Sequence, residues 1–155
     1  WSGVVKAGST SRVPVSTIDI FPTLMQIAGV ALPKGRQIDG VSLVPVLKQT
    51  GKLDRQDLFW HFPHYRFPRG PYSIIRSGDW KMIRWYQDGE SELFNLADDL
   101  GEKNDLAAKM PEKVKELDAK LDAWLKSVGA KMPKPNPDYQ PSKPKPKRGP
   151  KRKKR

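Results

Sequence analysis

The chain has 155 residues and a formal net charge of +12, a length that accommodates one ordinary domain or a smaller core with tails. It contains no cysteine, which excludes a disulfide framework, a thiolate metal site and a thiol nucleophile, and no run approaches the roughly 18 apolar residues of a membrane span. The basicity is concentrated: from Lys131 onward eleven Lys or Arg stand against one acidic residue, Asp138, which leaves 18 basic and 16 acidic residues for positions 1–130.

Trp1-Ser2-Gly3 leads at once into strand-like Val4-Val5, with no initiator Met and nothing resembling a signal peptide, and reads as a cut through a longer protein. Val13-Pro14-Val15 follows a polar turn at 6–11. A helix is expected near 18–28. Ser16 or Thr17 caps it, Asp19 suits the positive end of its dipole, Pro22 fits only its first turn, and Gly29 suits its C′ position. Ile20, Phe21, Leu24, Met25 and Ile27 predict that this helix is largely buried. Residues 30–41 form a loop, and a short helix is expected near 42–48 with Ser42 as cap and Pro45 early in it.

Asp57-Leu58-Phe59-Trp60-His61-Phe62 reads as a buried strand near 57–62. An aromatic, basic, Pro-stiffened loop at 63–71 then leads into a meander spanning 72–96, with strands at 72–76, 80–86 and 92–96. Gly78 and Asp88-Gly89 sit between the apolar runs, where glycine accepts the positive φ of a tight hairpin turn. In the middle strand Trp80, Met82 and Tyr86 point one way, and Ile83 and Trp85 the other. Both faces therefore want cover. Pro111 opens a second strong helix, 111–128, whose stripe of Val114, Leu117, Leu121, Trp124, Leu125 and Val128 has helical period and suits one of those faces. Gly129 ends it. A Pro-rich arm follows, and 141–155 is low-complexity sequence too poor in apolar surface to fold.

Several stretches, weak singly, are specific in this order. Ser16-Thr17-Ile18-Asp19-Ile20-Phe21-Pro22-Thr23-Leu24 with Ala28-Gly29, Asp39-Gly40-Val41-Ser42-Leu43, Ile75-Arg76-Ser77-Gly78-Asp79-Trp80-Lys81-Met82-Ile83, and Glu92-Leu93-Phe94-Asn95-Leu96 with Glu102 and Asn104-Asp105-Leu106-Ala107 resemble segments of the formylglycine-dependent sulfatases, the arylsulfatase family. The likeness covers roughly residues 1–139, and Trp1-Ser2-Gly3 resembles the family's Trp-Pro-Gly turn with Ser2 in place of Pro. The resemblance implies an α/β parent of the alkaline-phosphatase-like sulfatase fold. Residues 1–50 would end its large domain. Residues 51–130 would form its α+β C-terminal subdomain, a small antiparallel sheet packed on a helix, and 131–155 a disordered basic tail. The second face of the meander would then meet the missing N-terminal catalytic domain of the same protein. An export route, periplasmic or secreted, is the expectation for that parent.

By the same resemblance, sulfate-ester hydrolysis would use a formylglycine made within a Cys/Ser-x-Pro-x-Arg motif and a calcium ion held by Asp and Asn. None of those motifs is here; Ser11-Arg12-Val13-Pro14 has the wrong order. The chain alone is expected to be inactive, with no catalytic and no metal-binding residue of its own. One place could touch a sulfated small molecule or polysaccharide: His61 and His64, with Tyr65, Arg66 and Arg69, lie where a strand enters the aromatic loop, and cationic groups there could bind sulfate through charge-assisted hydrogen bonds. Against this stands packing of His61 within the strand and solvation of the arginines. A zinc site from His61 and His64 alone lacks ligands. Arg76 and Lys81 read as surface or structural residues, and Trp80 and Trp85 as core. The alternative reading of the whole is a polyanion- or nucleic-acid-binding module acting through the basic tail. No aromatic residue follows Tyr139 to stack on bases.

Overall fold

Alternating side chains in four successive runs build one antiparallel sheet: β1 Asp57–Phe62, β2 Tyr72–Ser77, β3 Trp80–Trp85 and β4 Ser91–Asn95, in the order β1-β2-β3-β4. The structure, a computed structural model, describes residues 1–66 and 68–134. The low-complexity tail expected at 141–155, and the arm from 135, lie outside the described residues. The β2–β3 hairpin closes tightly, with Ser77 opposite Trp80 and Gly78 at φ +58°. In the longer β3–β4 connection Gly89 takes φ +73°. Both glycines supply the left-handed backbone that their turns need. The strand near 57–62 joins the meander as a fourth strand, and the middle strand ends one residue earlier than expected, leaving Tyr86 in the turn.

Register turns this sheet into two different faces. Phe59, Ile75, Met82 and Leu93 are aligned across the four strands and form one row. Against that row lies α3, Pro111–Ser127, which presents Leu117, Leu121 and Leu125 at intervals of four residues, one above another on a single helix face. Ile75, Met82, Leu93, Leu117 and Leu121 are fully buried together. Each such side chain stabilises the folded state by about 1.5–3 kcal/mol relative to exposure. Polar contacts fix the rotation of α3. Arg84 donates from Nε to Asp118 (2.6 Å) and from Nη1 to Asp122 (2.6 Å), and Lys120 reaches the Ser77 hydroxyl at 3.1 Å. Ala130 N–H donates to the Leu125 carbonyl at 2.9 Å, closing the helix around Gly129 at φ +60°.

The opposite face carries Leu58, Trp60 and Phe62 of β1, Tyr72 and Ile74 of β2, Ile83 and Trp85 of β3 and Phe94 of β4, by the alternation of each strand. No helix lies on it among the described residues. This corrects the expectation that 57–62 is a buried strand: β1 is a sheet edge, only Leu58 in it is buried, and Trp60 remains 41 % exposed.

Residues 1–50 differ further from expectation. A 3₁₀ turn, Thr17–Asp19, runs into α1, Ile20–Ile27, and α2 is only Val44–Leu47. α1 is not largely buried. Ile20, Phe21, Leu24 and Ile27 are 52, 47, 58 and 41 % exposed, and Pro22 and Thr23 are its buried residues. The physical reason is geometric: an eight-residue helix apolar on every side needs cover on every side, and here it packs only toward α2 and the chain that leads to it. Ser42 does not cap the shorter α2 directly, since Leu43 precedes it, but the Ser42 hydroxyl accepts from Val44 N–H at 3.3 Å.

Candidate functional site

The loop between β1 and β2 carries two of the predicted binding residues, His64 and Arg66, and its tip is open. His64 and Arg66 are both exposed. The His64 ring sits edge-on to Phe62 with centroids 5.3 Å apart, and its carbonyl accepts from Arg66 N–H at 3.0 Å. Tyr65 between them is 65 % exposed. An imidazole and a guanidinium thus share one short, curled piece of backbone. Such a pair can donate several charge-assisted hydrogen bonds to a sulfate or carboxylate.

His61 is not part of this tip. Strand alternation turns it toward the α3 face, where Nδ1 lies 2.7 Å from the Ser73 hydroxyl and Nε2 lies 2.9 Å from the Lys131 carbonyl. A carbonyl only accepts, so Nε2 carries a hydrogen and donates it to Lys131. The fully buried Ser73 hydroxyl also hydrogen-bonds the Tyr86 hydroxyl at 2.7 Å. This chain of bonds ties the start of the C-terminal arm to the sheet. The two histidines therefore have different surroundings: His61 is bonded to Ser73 and Lys131, whereas the His64 ring lies against Phe62. Among the described residues no group of three or more His, Cys, Asp or Glu could hold a metal ion.

Arg69, the third cation of the loop, is fully engaged. Its Nε donates to Asp88 at 2.9 Å, Nη2 to Glu90 at 2.6 Å and Nη1 to Glu92, and its guanidinium lies 4.8 Å from the centroid of the Trp85 ring. The hydrogen bond from Arg69 holds the Asp88 carboxyl below the usual range. Sequence reasoning placed Arg69 with the substrate-facing cations. The signal it passed over is the acidic run Asp88, Glu90, Glu92, whose alternate spacing in and after a turn offers three carboxylates to one partner.

A second polar centre was also missed. Asp19 is wholly buried. Arg55 grips it in a fork, Nη1 to Oδ1 at 2.6 Å and Nη2 to Oδ2 at 2.8 Å, while Val41 and Ser16 donate backbone N–H bonds at 3.0 and 2.8 Å. Burial disfavours its charge but is outweighed by the Arg55 hydrogen bond, the two backbone donors and the Arg55 charge, so its pKa is lowered. Thr23 extends the centre, donating to the Asp19 carbonyl at 2.6 Å and accepting from Leu43 N–H at 2.8 Å. Gly40 is required where this loop closes, because a Cβ there would lie 2.0 Å from the Ile18 carbonyl oxygen. Asp19 therefore joins α1, the 40–43 loop and Arg55, and its carboxylate is committed to structure. Arg76 and Lys81 fit the surface reading: Arg76 donates to the Gly78 carbonyl at 3.3 Å, and Lys81 pairs with Glu102 at 2.6 Å.

Known proteins share this architecture. Residues 1–131 match the family described as N-sulphoglucosamine sulphohydrolase, C-terminal. A sulfatase of Formosa agariphila is 38 % identical over 141 residues, covering 81 % of this chain and 26 % of the relative. An N-acetylglucosamine-6-O-sulfatase of Bacteroides thetaiotaomicron is 36 % identical over 124 residues, covering 73 % of this chain and 21 % of the relative. The solved structure of BT4656 in complex with its substrate D-glucosamine-2-N,6-O-disulfate superposes with a TM-score of 0.69 at 33 % identity, covering 84 % of this chain and 28 % of that one. The chain thus spans about a quarter of the length of these relatives. With its four-stranded antiparallel sheet packed on one long helix, it belongs to the sulfatase family, as a C-terminal region of the N-sulphoglucosamine sulphohydrolase type.

Proposed function

We propose that this chain is the C-terminal portion of a sulfuric ester hydrolase that removes sulfate from sugars, and that it serves that enzyme by walling the substrate site. The observation that carries the reading is the family match over residues 1–131 joined to a loop tip presenting His64 and Arg66. Sugar as the substrate class is supported by the two relatives whose names specify glucosamine sulfates. His64 and Arg66 contact the anionic substrate, while His61, with both ring nitrogens engaged, positions the strand below them.

The formylglycine and calcium that the resemblance implies do not fit residues of this chain. It has no cysteine, none of its described residues form a metal-binding cluster, and Asp19 is already held by Arg55. The nucleophile and the charge-stabilising cation belong to an N-terminal catalytic domain of the same protein. That domain covers the exposed apolar side of α1 and the second face of the sheet. The test is release of inorganic sulfate, followed by ion chromatography, from N-acetylglucosamine 6-sulfate and glucosamine sulfates. The intact protein is expected to release it and residues 1–155 alone to release none. A folded intact protein inert toward every sulfated sugar overturns the proposal.

The basic tail supports a second, compatible role in holding the enzyme on polyanionic substrate, since eleven Lys or Arg follow position 130. Removing residues 142–155 is expected to lower the salt concentration of elution from a sulfated-polysaccharide column; unchanged elution excludes the role. Nucleic-acid binding by residues 1–139, checked by titration, is not expected.

A further inference from the structure

Arg69 does more than remove itself from the list of substrate ligands. Every nitrogen of its guanidinium is bonded to a different carboxylate of the β3–β4 turn or of β4, and one face lies over Trp85, whose own Nε1–H donates to Glu92 at 3.1 Å. The two residues that follow are held to the same turn. Gly70 adopts φ +85°, and a Cβ on it would come within 2.6 Å of the Gln87 side-chain oxygen. Pro71 accepts from Tyr86 N–H at 3.0 Å. The loop is therefore strapped down at 69–71 and open at 64–66.

An exposed ion pair by itself contributes little. A planar fork shared among three acceptors and stacked on an indole gives direction, which a lysine ammonium cannot reproduce. Charge follows the same division. Arg69 offsets one of three carboxylates, so the strapped end of the loop is net negative, while the tip carries Arg66. Arg69 lies three positions after Arg66, about 11 Å at most, comparable to the screening length of about 8–10 Å in physiological salt. An anionic ligand at the tip therefore feels attraction ahead and repulsion behind.

We propose that Arg69 is a latch, a positioning residue that orients the His64–Arg66 tip toward a sulfated sugar while its carboxylate partners confine that anion to the tip. The proposal rests on the substrate-contact reading above, and the test separates the two. In the intact protein, Arg69→Ala and Arg69→Lys are compared with wild type by hydrogen–deuterium exchange over residues 62–72 and 111–127, and by kcat and KM for N-acetylglucosamine 6-sulfate. Arg69→Ala is expected to speed exchange in 62–72 about tenfold with 111–127 unchanged, to raise KM about tenfold and to leave kcat within about twofold. Arg69→Lys should fall between. Unchanged loop exchange overturns the latch. Faster exchange with unchanged KM overturns its link to the ligand, and a fall in kcat at constant KM overturns a purely positioning role. If wild type itself releases no sulfate, the substrate-contact reading and the latch's link to it fall, while exchange still decides the latch itself.

Discussion

The two halves of this chain satisfy their apolar residues in opposite ways. In the sheet and α3, Ile75, Met82, Leu93, Leu117, Leu121 and Leu125 bury one another, so the hydrophobic stripe of the helix and that of the sheet close within the chain. In residues 1–50 the apolar side chains of α1 stay exposed, and the fully buried group is a carboxylate, Asp19. One half is held by area removed from water, which is non-directional. The other is held by a charged hub that fixes geometry while its surface waits for a partner. A hub of that kind specifies how segments meet without supplying much net stability. The difference predicts that the halves respond to different mutations.

The largest effect should come from the apolar half. Leu121→Ala removes a fully buried side chain and is expected to cost about 4 kcal/mol, transfer and cavity together, read from the urea midpoint by tryptophan fluorescence. A loss below about 1 kcal/mol would mean that α3 can slide to fill the gap and that the row is not closed. Asp19→Ala should cost about 3 kcal/mol by leaving Arg55 without its partner in a largely buried site. Exchange should rise across 17–47 while α3 keeps its protection; loss of protection in α3 as well would break the comparison. The pH dependence has a definite sign. The folded pKa of Asp19 is depressed below its ordinary value of 3.8, so its contribution is full above that value and is lost as pH falls through the lower folded one. Wild type should lose protection in 17–47 over that acidic window. In Asp19→Asn this component should vanish.

What could be read from the residues divides along the same line. The α3 stripe and the Gly78 and Gly89 turns were legible because period and positive φ are local properties, and their partners lie in the same chain. The burial of α1 was misread because an apolar helix announces that it needs cover, not where that cover comes from. The β1 strand was misread for the same reason: Leu58-Phe59-Trp60 looks buried, but an edge position is a property of the sheet. Arg69 and Arg55 could not be told apart from solvated arginines. Their carboxylates lie 19 to 36 residues away in sequence, and no pattern within either stretch names its partner. His64 and Arg66 were legible as an aromatic, basic tip, whereas His61 was separated from them only by the parity of its strand.

Trp124→Ala sharpens the boundary between the halves. Its ring stacks on Phe59 at 4.8 Å with planes 5° apart, yet it is only half-buried. Full burial would set the cost at about 3–5 kcal/mol. Partial burial with one stacked partner lowers it to about 2 kcal/mol, measured by thermal or urea unfolding. A cost at the upper end would mean that Trp124 is covered in solution, which would bring the cover to the β1 edge.

The smallest effect tests the surface of the self-sufficient half. Glu102 pairs with Lys81 across 2.6 and 2.8 Å, but it does so from φ +53°, a left-handed backbone that a residue with a Cβ adopts at a cost of about 1–2 kcal/mol. The ion pair, partly exposed on both sides, contributes about 0.5 kcal/mol. Glu102→Ala loses the pair and keeps the strain, so it should destabilise by about 0.5 kcal/mol, and by less in 1 M salt. Glu102→Gly loses the same pair but releases the strain, offset in part by the freer unfolded chain, and should be close to neutral or slightly stabilising. The informative quantity is the difference between the two variants, about 1 kcal/mol in favour of glycine, because the lost ion pair cancels in it. Equal stabilities would mean that the backbone at 102 relaxes when its carboxylate is removed. In that case the pair with Lys81 itself holds the left-handed turn, and this corner of the sheet is organised like Asp19 rather than like Leu121.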